Sequence, residues 1–298
     1  MSRDLELIEK DICSKICERL NKVGLLYRIF SRIKNNNSVT EKIKRKEEEG
    51  TPYSIEGKKI QDIIGIRIVT YFHDDVNLVR EILSDVFKYV SEEIDTIEPT
   101  VFKPKRTNII CSLDDKQKET FKEIIKVTNS ESLKLSDYTF ELQLRTILSE
   151  GWHEIDHSLR YKSKKEWSKH SEKERLLNGI YATLEVNDLA MKSLFNELAY
   201  QHFKEKNWEA MLRNKYRLKF QSTNIKSELK QILNEDLDIA KQLLKSNRLR
   251  VIKKLSKVDI PFPISFNNII YFTNHIELKN DKIGSLTPEL IRQILVDI

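Results

Sequence analysis

Residues 58–72 read KKIQDIIGIRIVTYF. Two lysines and a single acid, Asp62, lead into an apolar, β-branched run that admits one charge, Arg67. A run so rich in Ile and Val, and too short to span a membrane, predicts a buried central strand. An acid at the mouth of such a strand and an arginine inside it cost free energy unless something pairs them. Two readings stand at this point. Asp62 is a strand-leading turn residue and Arg67 half of a buried ion pair, or Asp62 is a metal-binding carboxylate at the sheet edge that serves a phosphate substrate.

Working outward toward the N-terminus, Leu5, Ile8, Ile12, Ile16 and Leu20 recur at helical spacing within residues 4–23. The segment LLYRIFSRIK predicts a strand ending in Arg32 and Lys34, and Asn35–Asn37 a turn. Ser38 followed by Glu41 forms a capping-box pattern, so a helix is expected to start there and to carry Lys42, Lys44, Arg45 and Lys46. The EEEGTP run reads as a surface loop. On the other side, Asp74 and Asp75 are expected to cap a helix whose apolar set is Val76, Val79, Leu83, Val86, Phe87 and Val90. Residues 97–113 suggest two short strands around Lys103–Arg106, and 115–128 a helix.

The segment YTFELQLR (138–145) alternates cleanly, with Tyr138, Phe140, Leu142 and Leu144 on one face and Thr139, Glu141, Gln143 and Arg145 on the other. A fully polar face fits a solvated edge strand. Beyond residue 146 the pattern turns helical, over 146–161, over 171–203 and in shorter stretches to the end. Pro261 and Pro263 interrupt it, and Thr287-Pro288-Glu289 starts a last helix with proline at its first position. The expected organisation is an α/β domain over residues 1–165 and an all-helical C-terminal region over 166–298.

Bulk composition agrees with a soluble, helix-rich globular chain: 298 residues, 33% charged, with 7 Gly and 6 Pro. No apolar run is long enough for a membrane helix, and the acidic MSRDLELIEK start lacks the apolar core of a signal peptide, so a cytoplasmic protein is expected. Of the three cysteines, Cys13 and Cys17 lie one helical turn apart and read as core-facing thiols; with Cys111 they make no zinc-finger spacing. The net charge of +6 is uneven: residues 201–298 hold 18 Lys and Arg against 11 Asp and Glu, leaving the first 200 residues at −1.

Arg32, Lys34 and Lys42 cluster around the first turn, and clustered cations near a helix N-terminus favour phosphate. Asp62 and Glu141, on or beside strands, are candidates to hold Mg²⁺. A phosphate clamp with two carboxylates on a sheet is the equipment of phosphoryl-type transfer. A competing pattern is His153-Glu154-Ile155-Asp156-His157, which fits the zinc-protease motif H-E-x-x-H; His170, the nearest candidate third ligand, lacks the spacing of the extended motif. In the tail, FKEKNWEAMLRNKYRLKF (203–220) interleaves basic residues with Phe203, Trp208, Tyr216 and Phe220, a composition shared by nucleic-acid-binding segments and by helices with aromatic cores.

Three blocks, SRIKNNNSVTEKIKRK (31–46), KIQDIIGIRIV (59–69) and FELQLRTILSEGWHEIDHSLRYK (140–162), resemble in this order the synthetase domain of the RelA/SpoT family. The resemblance covers roughly residues 25–162. It implies a nucleotidyltransferase-like α/β fold, a mixed sheet flanked by helices, and transfer of the β,γ-diphosphate of ATP to a nucleotide 3′-hydroxyl, giving a (p)ppGpp-type alarmone. It makes Arg32, Lys34 and Lys42 the residues that bind the ATP phosphates and Asp62 the Mg²⁺ ligand. Glu141 becomes the glutamate of the family's E-x-Q-x-R-T motif, acting on the acceptor hydroxyl as base or second metal ligand. Gln143, Arg145, His157 and Lys162 match supporting positions. His153 falls where the family has a small residue, so the H-E-x-x-H pattern becomes a coincidence. Arg67 matches the family's arginine, with a role either toward substrate or toward a neighbouring acid such as Glu141.

The chain departs from the family at the acceptor loop, usually Gly-Tyr-Arg-Ser-x-His, with a tyrosine that stacks on guanine. The corresponding place reads FKPKRTNII (102–110), without tyrosine or histidine, leaving Phe102, Lys105, Arg106 and Asn108 as acceptor-binding candidates. GDP or GTP is the family's default acceptor. The alternatives are a toxin-like enzyme acting on the tRNA 3′ end, with an antitoxin or regulatory protein as partner, and a degenerate nucleotide-sensing module. About thirty residues precede the resembling region, too few for the family's hydrolase domain, so a synthetase restrained by other means is expected.

Overall fold

The apolar runs pair as one mixed sheet built from β1 (Tyr27–Ile33), β2 (Ile64–Thr70), β3 (Tyr89–Ile94), β4 (Thr107–Ser112) and β5 (Thr139–Thr146). The computed structural model describes residues 2–95, 105–222, 224–258 and 262–296. Strand order is β1-β2-β5-β4-β3. β2 and β5 run parallel and the other pairs antiparallel. Gly65 lies opposite Glu141, Arg67 opposite Gln143 and Val69 opposite Arg145. Paired residues share a face, so Arg67, Glu141, Gln143 and Arg145 stand on one side of the sheet. Ile66, Ile68, Leu142 and Leu144 occupy the other side and are buried.

This topology corrects the edge-strand reading of 138–145. β5 is the central strand, and its polar residues are half-buried rather than solvated. Two other boundaries move. The helix begun at His73 stops at Leu83, where the Val86 and Phe87 N–H groups turn back onto the Leu83 carbonyl. Phe87 packs edge-on against Phe140 at 5.1 Å, and Val90 belongs to β3, which starts earlier than the 97–113 expectation. Lys103, on which that expectation centred, lies outside the described residues.

The first eight helices in chain order are α1 (Ser2–Lys22), α2 (Asn36–Glu48), α3 (His73–Leu83), α4 (Asp115–Thr128), α5 (Glu131–Lys134), α6 (Ile147–Ile155), α7 (Lys164–Trp167) and α8 (Ser171–Lys204). The cap of α2 is Asn35, not Ser38. Its side chain accepts the Ser38 N–H at 2.8 Å, so the expected turn becomes the helix's first turn. α4 runs as expected over 115–128, closed by an Asp114–Gln117 capping box. α6 is opened by Thr146 and Ser149 and passes into a π-helical turn over Asp156–Tyr161.

Contacts divide the chain into two compact units. The first holds Met1–Cys17, Tyr27–Tyr71 and Leu83–Val186, including every strand; the second holds Glu18–Leu26, Phe72–Ile82 and Asn187–Ile298. The second is helical, with α9 (Trp208–Tyr216), α10 (Ser227–Glu235), α11 (Leu237–Lys245), α12 (Arg248–Ser256), α13 (Phe266–Thr273), α14 (Asp281–Leu286) and α15 (Glu289–Leu295). Pro288 is the cap of α15 and not its first residue. The aromatics of 203–220 are packing groups. Trp208 and Tyr216 are buried, Phe220 stacks on Phe266 at 4.3 Å, and Phe203 lies 6.1 Å from Trp208. The Trp208 indole donates to Asn234 at 2.9 Å, and the Tyr216 hydroxyl meets Ser246 and Thr273, so their polar atoms are satisfied inside. No helix among the described residues is long and apolar enough to cross a membrane.

Asp74 and Asp75 do not cap α3, as expected, but lie inside its first turn, which begins at His73. Asp74 accepts from Arg217 at 2.6 Å, and the fully buried Asp75 accepts from Arg248, whose Nε also donates to the Tyr216 carbonyl at 2.8 Å. Arg217 also lies over the Phe72 ring at 4.5 Å. Burial opposes both carboxylates. Arg217 and Arg248 outweigh it at Asp74 and hold that group below the usual carboxylate range, while at Asp75 burial wins and pushes the pKa up. Removing one partner of a buried pair leaves an uncompensated charge. Arg248→Ala is therefore expected to destabilise the protein by about 3–5 kcal/mol in denaturant unfolding. Lys253→Ala, which breaks the more exposed Lys253–Glu81 pair, is expected to cost no more than about 1 kcal/mol. Equal losses in the two variants would remove the buried network from the account of this unit's stability.

Candidate active site

Asp62 precedes β2, Arg32 sits within β1, and Lys34 follows β1, its N–H donating to the Ile63 carbonyl at 2.9 Å. Lys42 reaches the same place from the second turn of α2, bonding both Asp62 oxygens at 2.7 Å; Lys34 Nζ bonds Asp62 as well. All three side chains are about four-fifths buried, with 17–20% exposed. Burial opposes the Asp62 charge, but the two lysines outweigh it and hold the carboxyl below its usual range. Lys34 loses more to burial and to its cationic neighbours than Asp62 returns, so its pKa falls. Lys42, equally opposed by burial but held by both Asp62 oxygens, ends above its usual value.

A cleft of about 590 Å³ opens over the polar face of β5, and Arg32, Arg67, Arg106 and Arg145 contribute to its walls with Gln143 and His157. Arg67 donates to Gln143 at 3.0 Å and to Glu154 at 2.6 Å, and also to Glu150. Its acid partners therefore come from α6 and not from Glu141. The sequence reading missed Glu150 and Glu154, although their i,i+4 spacing places them on one helical face. Glu141 accepts from the Gln143 amide at 3.0 Å, which orients the carboxylate. Arg145 lies 3.5 Å from Glu150, and its Nε and Nη1 are buried without a hydrogen-bond partner. Burial and then Arg67 lower its pKa.

The acceptor candidates separate. Arg106 lines the cleft, held by Asp95 at 3.2 Å and Glu93 at 3.3 Å. Lys105 instead pairs with Glu185, and its N–H donates to the Tyr181 hydroxyl at 3.0 Å. Asn108, on β4 opposite Gln143, carries a buried Oδ1 without a partner. Phe102 lies outside the described residues. His157 stacks on Tyr161 with ring centroids 6.0 Å apart, and Lys162 follows the π-turn on the surface, near enough to lower the His157 pKa after burial has done so.

The H-E-x-x-H pattern does not form a metal cage: His153 packs against Trp152 while His157 turns to Tyr161, and among the described residues no three His, Cys, Asp or Glu side chains converge. Mg²⁺ needs no such cage, since one or two carboxylates with water and substrate phosphates complete its shell. Asp62 and Glu141 are ligands of that kind, and in this structure both Asp62 oxygens are bonded by Lys42 while Glu141 accepts from Gln143.

The family described as "Region found in RelA / SpoT proteins" matches residues 31–166. Among solved structures the chain is similar to small alarmone synthetase 1 from Bacillus subtilis bound to its product pppGpp (21% identity over 66% of this chain and 93% of that one, TM-score 0.47). It is also similar to small alarmone synthetase 2 from the same organism (21%, 65% and 92%, TM-score 0.46). A GTP pyrophosphokinase family protein from Streptococcus pneumoniae gives 19%, 64% and 87%, with a TM-score of 0.47. No curated protein matches the chain in sequence. Residues 31–166 of the chain are thus a region of the RelA/SpoT family.

Proposed function

We propose that the protein is an ATP-dependent diphosphotransferase that moves the β,γ-diphosphate of ATP to the 3′-hydroxyl of a guanine nucleotide, GDP or GTP. The observation that carries the reading is a RelA/SpoT region whose arginines line one cleft over the polar face of the strand bearing Glu141. The acceptor 3′-oxygen attacks the β-phosphorus in line, the bond from that phosphorus to the α,β-bridging oxygen breaks, and AMP leaves. Glu141, oriented by Gln143, takes the hydroxyl proton. Lys34 and Lys42 exchange Asp62 for phosphate oxygens, and Arg32 adds positive charge beside them. Bound with the nucleotide, Mg²⁺ would be held by Asp62 and Glu141 and would neutralise charge on the transferring phosphates.

A tRNA 3′ end as acceptor keeps the altered loop and the basic tail in its favour but not the tail aromatics, of which Trp208 and Tyr216 are buried and Phe220 stacks on Phe266. The assay that separates the readings gives γ-labelled ATP to the protein with GDP, GTP or bulk tRNA. Label on guanine nucleotide with equimolar AMP is the expected result. Label on tRNA alone would replace the acceptor, and nucleotide binding without transfer would make the domain a sensor. Asp62→Ala should lower transfer by about a hundredfold or more while leaving the fold intact. Retained transfer in that variant would remove Asp62 from the site.

The lysine–carboxylate cluster also has a pH signature. A carboxyl whose folded pKa lies below its unfolded value stabilises the fold above about pH 4, and that contribution is lost as pH falls through the folded midpoint. Asp62 is such a group. By NMR titration its midpoint should lie below that of a free aspartate. Saturating ATP without divalent metal should raise it, because phosphate takes both lysines. An unmoved midpoint would mean that Lys34 and Lys42 do not hold the triphosphate.

A further inference from the structure

His153 belongs to no step of the mechanism above, yet it lines the same cleft from α6. Its ring sits edge-on to Trp152, with centroids 5.4 Å apart, and 6.2 Å from Tyr181. A hydrogen bond with the Lys105 backbone favours the protonated ring, so the imidazole donates in it. Nε2 is buried and has no partner. The donor is therefore Nδ1, and Nε2 keeps an unused lone pair. Burial, and then Arg145, drive the pKa down to about 3, so the ring stays neutral near neutral pH. A buried acceptor with no donor is uncommon in a folded protein unless water or a ligand completes it.

The neighbouring strands carry further unmatched atoms. Asn108 Oδ1 on β4 and Arg145 Nε and Nη1 on β5 are also buried without hydrogen-bond partners. Of these, His153 and Arg145 both line the cleft, so one acceptor and a guanidinium make a mixed donor–acceptor set there. Phosphate offers only acceptor oxygens to such a set, whereas a nucleobase edge offers N–H donors beside carbonyl or ring-nitrogen acceptors. We propose that His153 reads the base of the acceptor nucleotide, its Nε2 accepting a base N–H, and so determines which acceptor is used. This rests on the diphosphotransferase reading for the identity of what enters the cleft.

Two substitutions separate the lone pair from the ring. His153→Phe keeps an aromatic ring and removes the acceptor; His153→Gln removes the ring and keeps an acceptor oxygen at similar reach. Transfer from ATP to GDP, GTP, ADP and tRNA is measured for each, beside calorimetric affinities for GDP and ADP and circular dichroism for the fold. In His153→Phe the kcat/KM ratio between best and worst acceptors should shrink by about tenfold or more. His153→Gln should retain most of it, and KM for ATP should not move in either. If His153→Phe does not fold, His153→Leu, which also lacks an acceptor, replaces it. Unchanged acceptor ratios and affinities would overturn the proposal, as would one common factor of loss against every acceptor. If the wild-type protein transfers to none of them, the diphosphotransferase reading fails, and the base affinities of the variants then decide the role of His153 alone.

Discussion

A central parallel strand pair with one apolar face and one charged face folds only if the charges on the second face are answered within the protein. β2 and β5 impose that condition. Their apolar residues are sealed in the core, while Arg67, Glu141, Gln143 and Arg145 share the opposite side. α6, entered directly from β5 through the Thr146 cap, supplies Glu150 and Glu154 to answer Arg67. The path of the chain from strand to helix and the neutralisation of the strand's charge are thus one arrangement. Without those acids, Arg67 would be a desolvated cation beside Arg145, and the register that brings Gln143 beside Arg67 would carry an electrostatic cost.

The same condition shapes what the cleft can bind. In the cleft Arg67 is engaged by Glu150 and Glu154 and Arg106 by Asp95 and Glu93, while Lys34 and Lys42, outside its lining but within electrostatic reach of Arg32, are engaged by Asp62. An anionic substrate entering here exchanges partners with carboxylates. Its net gain is the difference between two ion pairs and not the full attraction of bare cations, which favours a polyphosphate that replaces several partners at once over a single anion. Arg145 is held less closely: it lies 3.5 Å from Glu150, but its Nε and Nη1 make no hydrogen bond, so a ligand that reaches them adds a bond without first breaking one.

Much of this was legible in the sequence where local chemistry decides. The β-branched run around Arg67 marks β2, alternation marks β5, and the helix expected over 115–128 is α4. The failures share a cause, which is that pairing lies outside any local window. Alternation in 138–145 could not tell an edge strand from a central strand whose polar face lines a cleft. Val90 continued a helical apolar pattern until the pairing of β3 with β4 claimed it. Asn35 outcompeted Ser38 because an earlier cap gains another turn of helix. Asp74 and Asp75 looked like ordinary cap residues, since Arg217 and Arg248 lie well over a hundred positions away. In the site, Asp62, Lys34 and Lys42 were expected together and do meet, while Lys105 turns to Glu185.

The two histidines of the H-E-x-x-H pattern show how a motif depends on the helix that carries it. Residues one α-helical turn apart can share a ligand only while the helix keeps its α pitch across both. Here α6 ends at Ile155 and the chain widens into a π-turn from Asp156, between the two rings. His153 is left in the wall formed with Trp152 and Tyr181, while His157 is carried into register with Tyr161, on which it stacks. The widened turn also brings Asp156 and Tyr161 to the cleft lined by Arg32 and Arg145. π-turns are rare because their hydrogen bonding is less favourable, and they concentrate where side chains must be re-aimed at a site. The local change of pitch that separates the two imidazoles thus directs each of them to a different partner along one cleft.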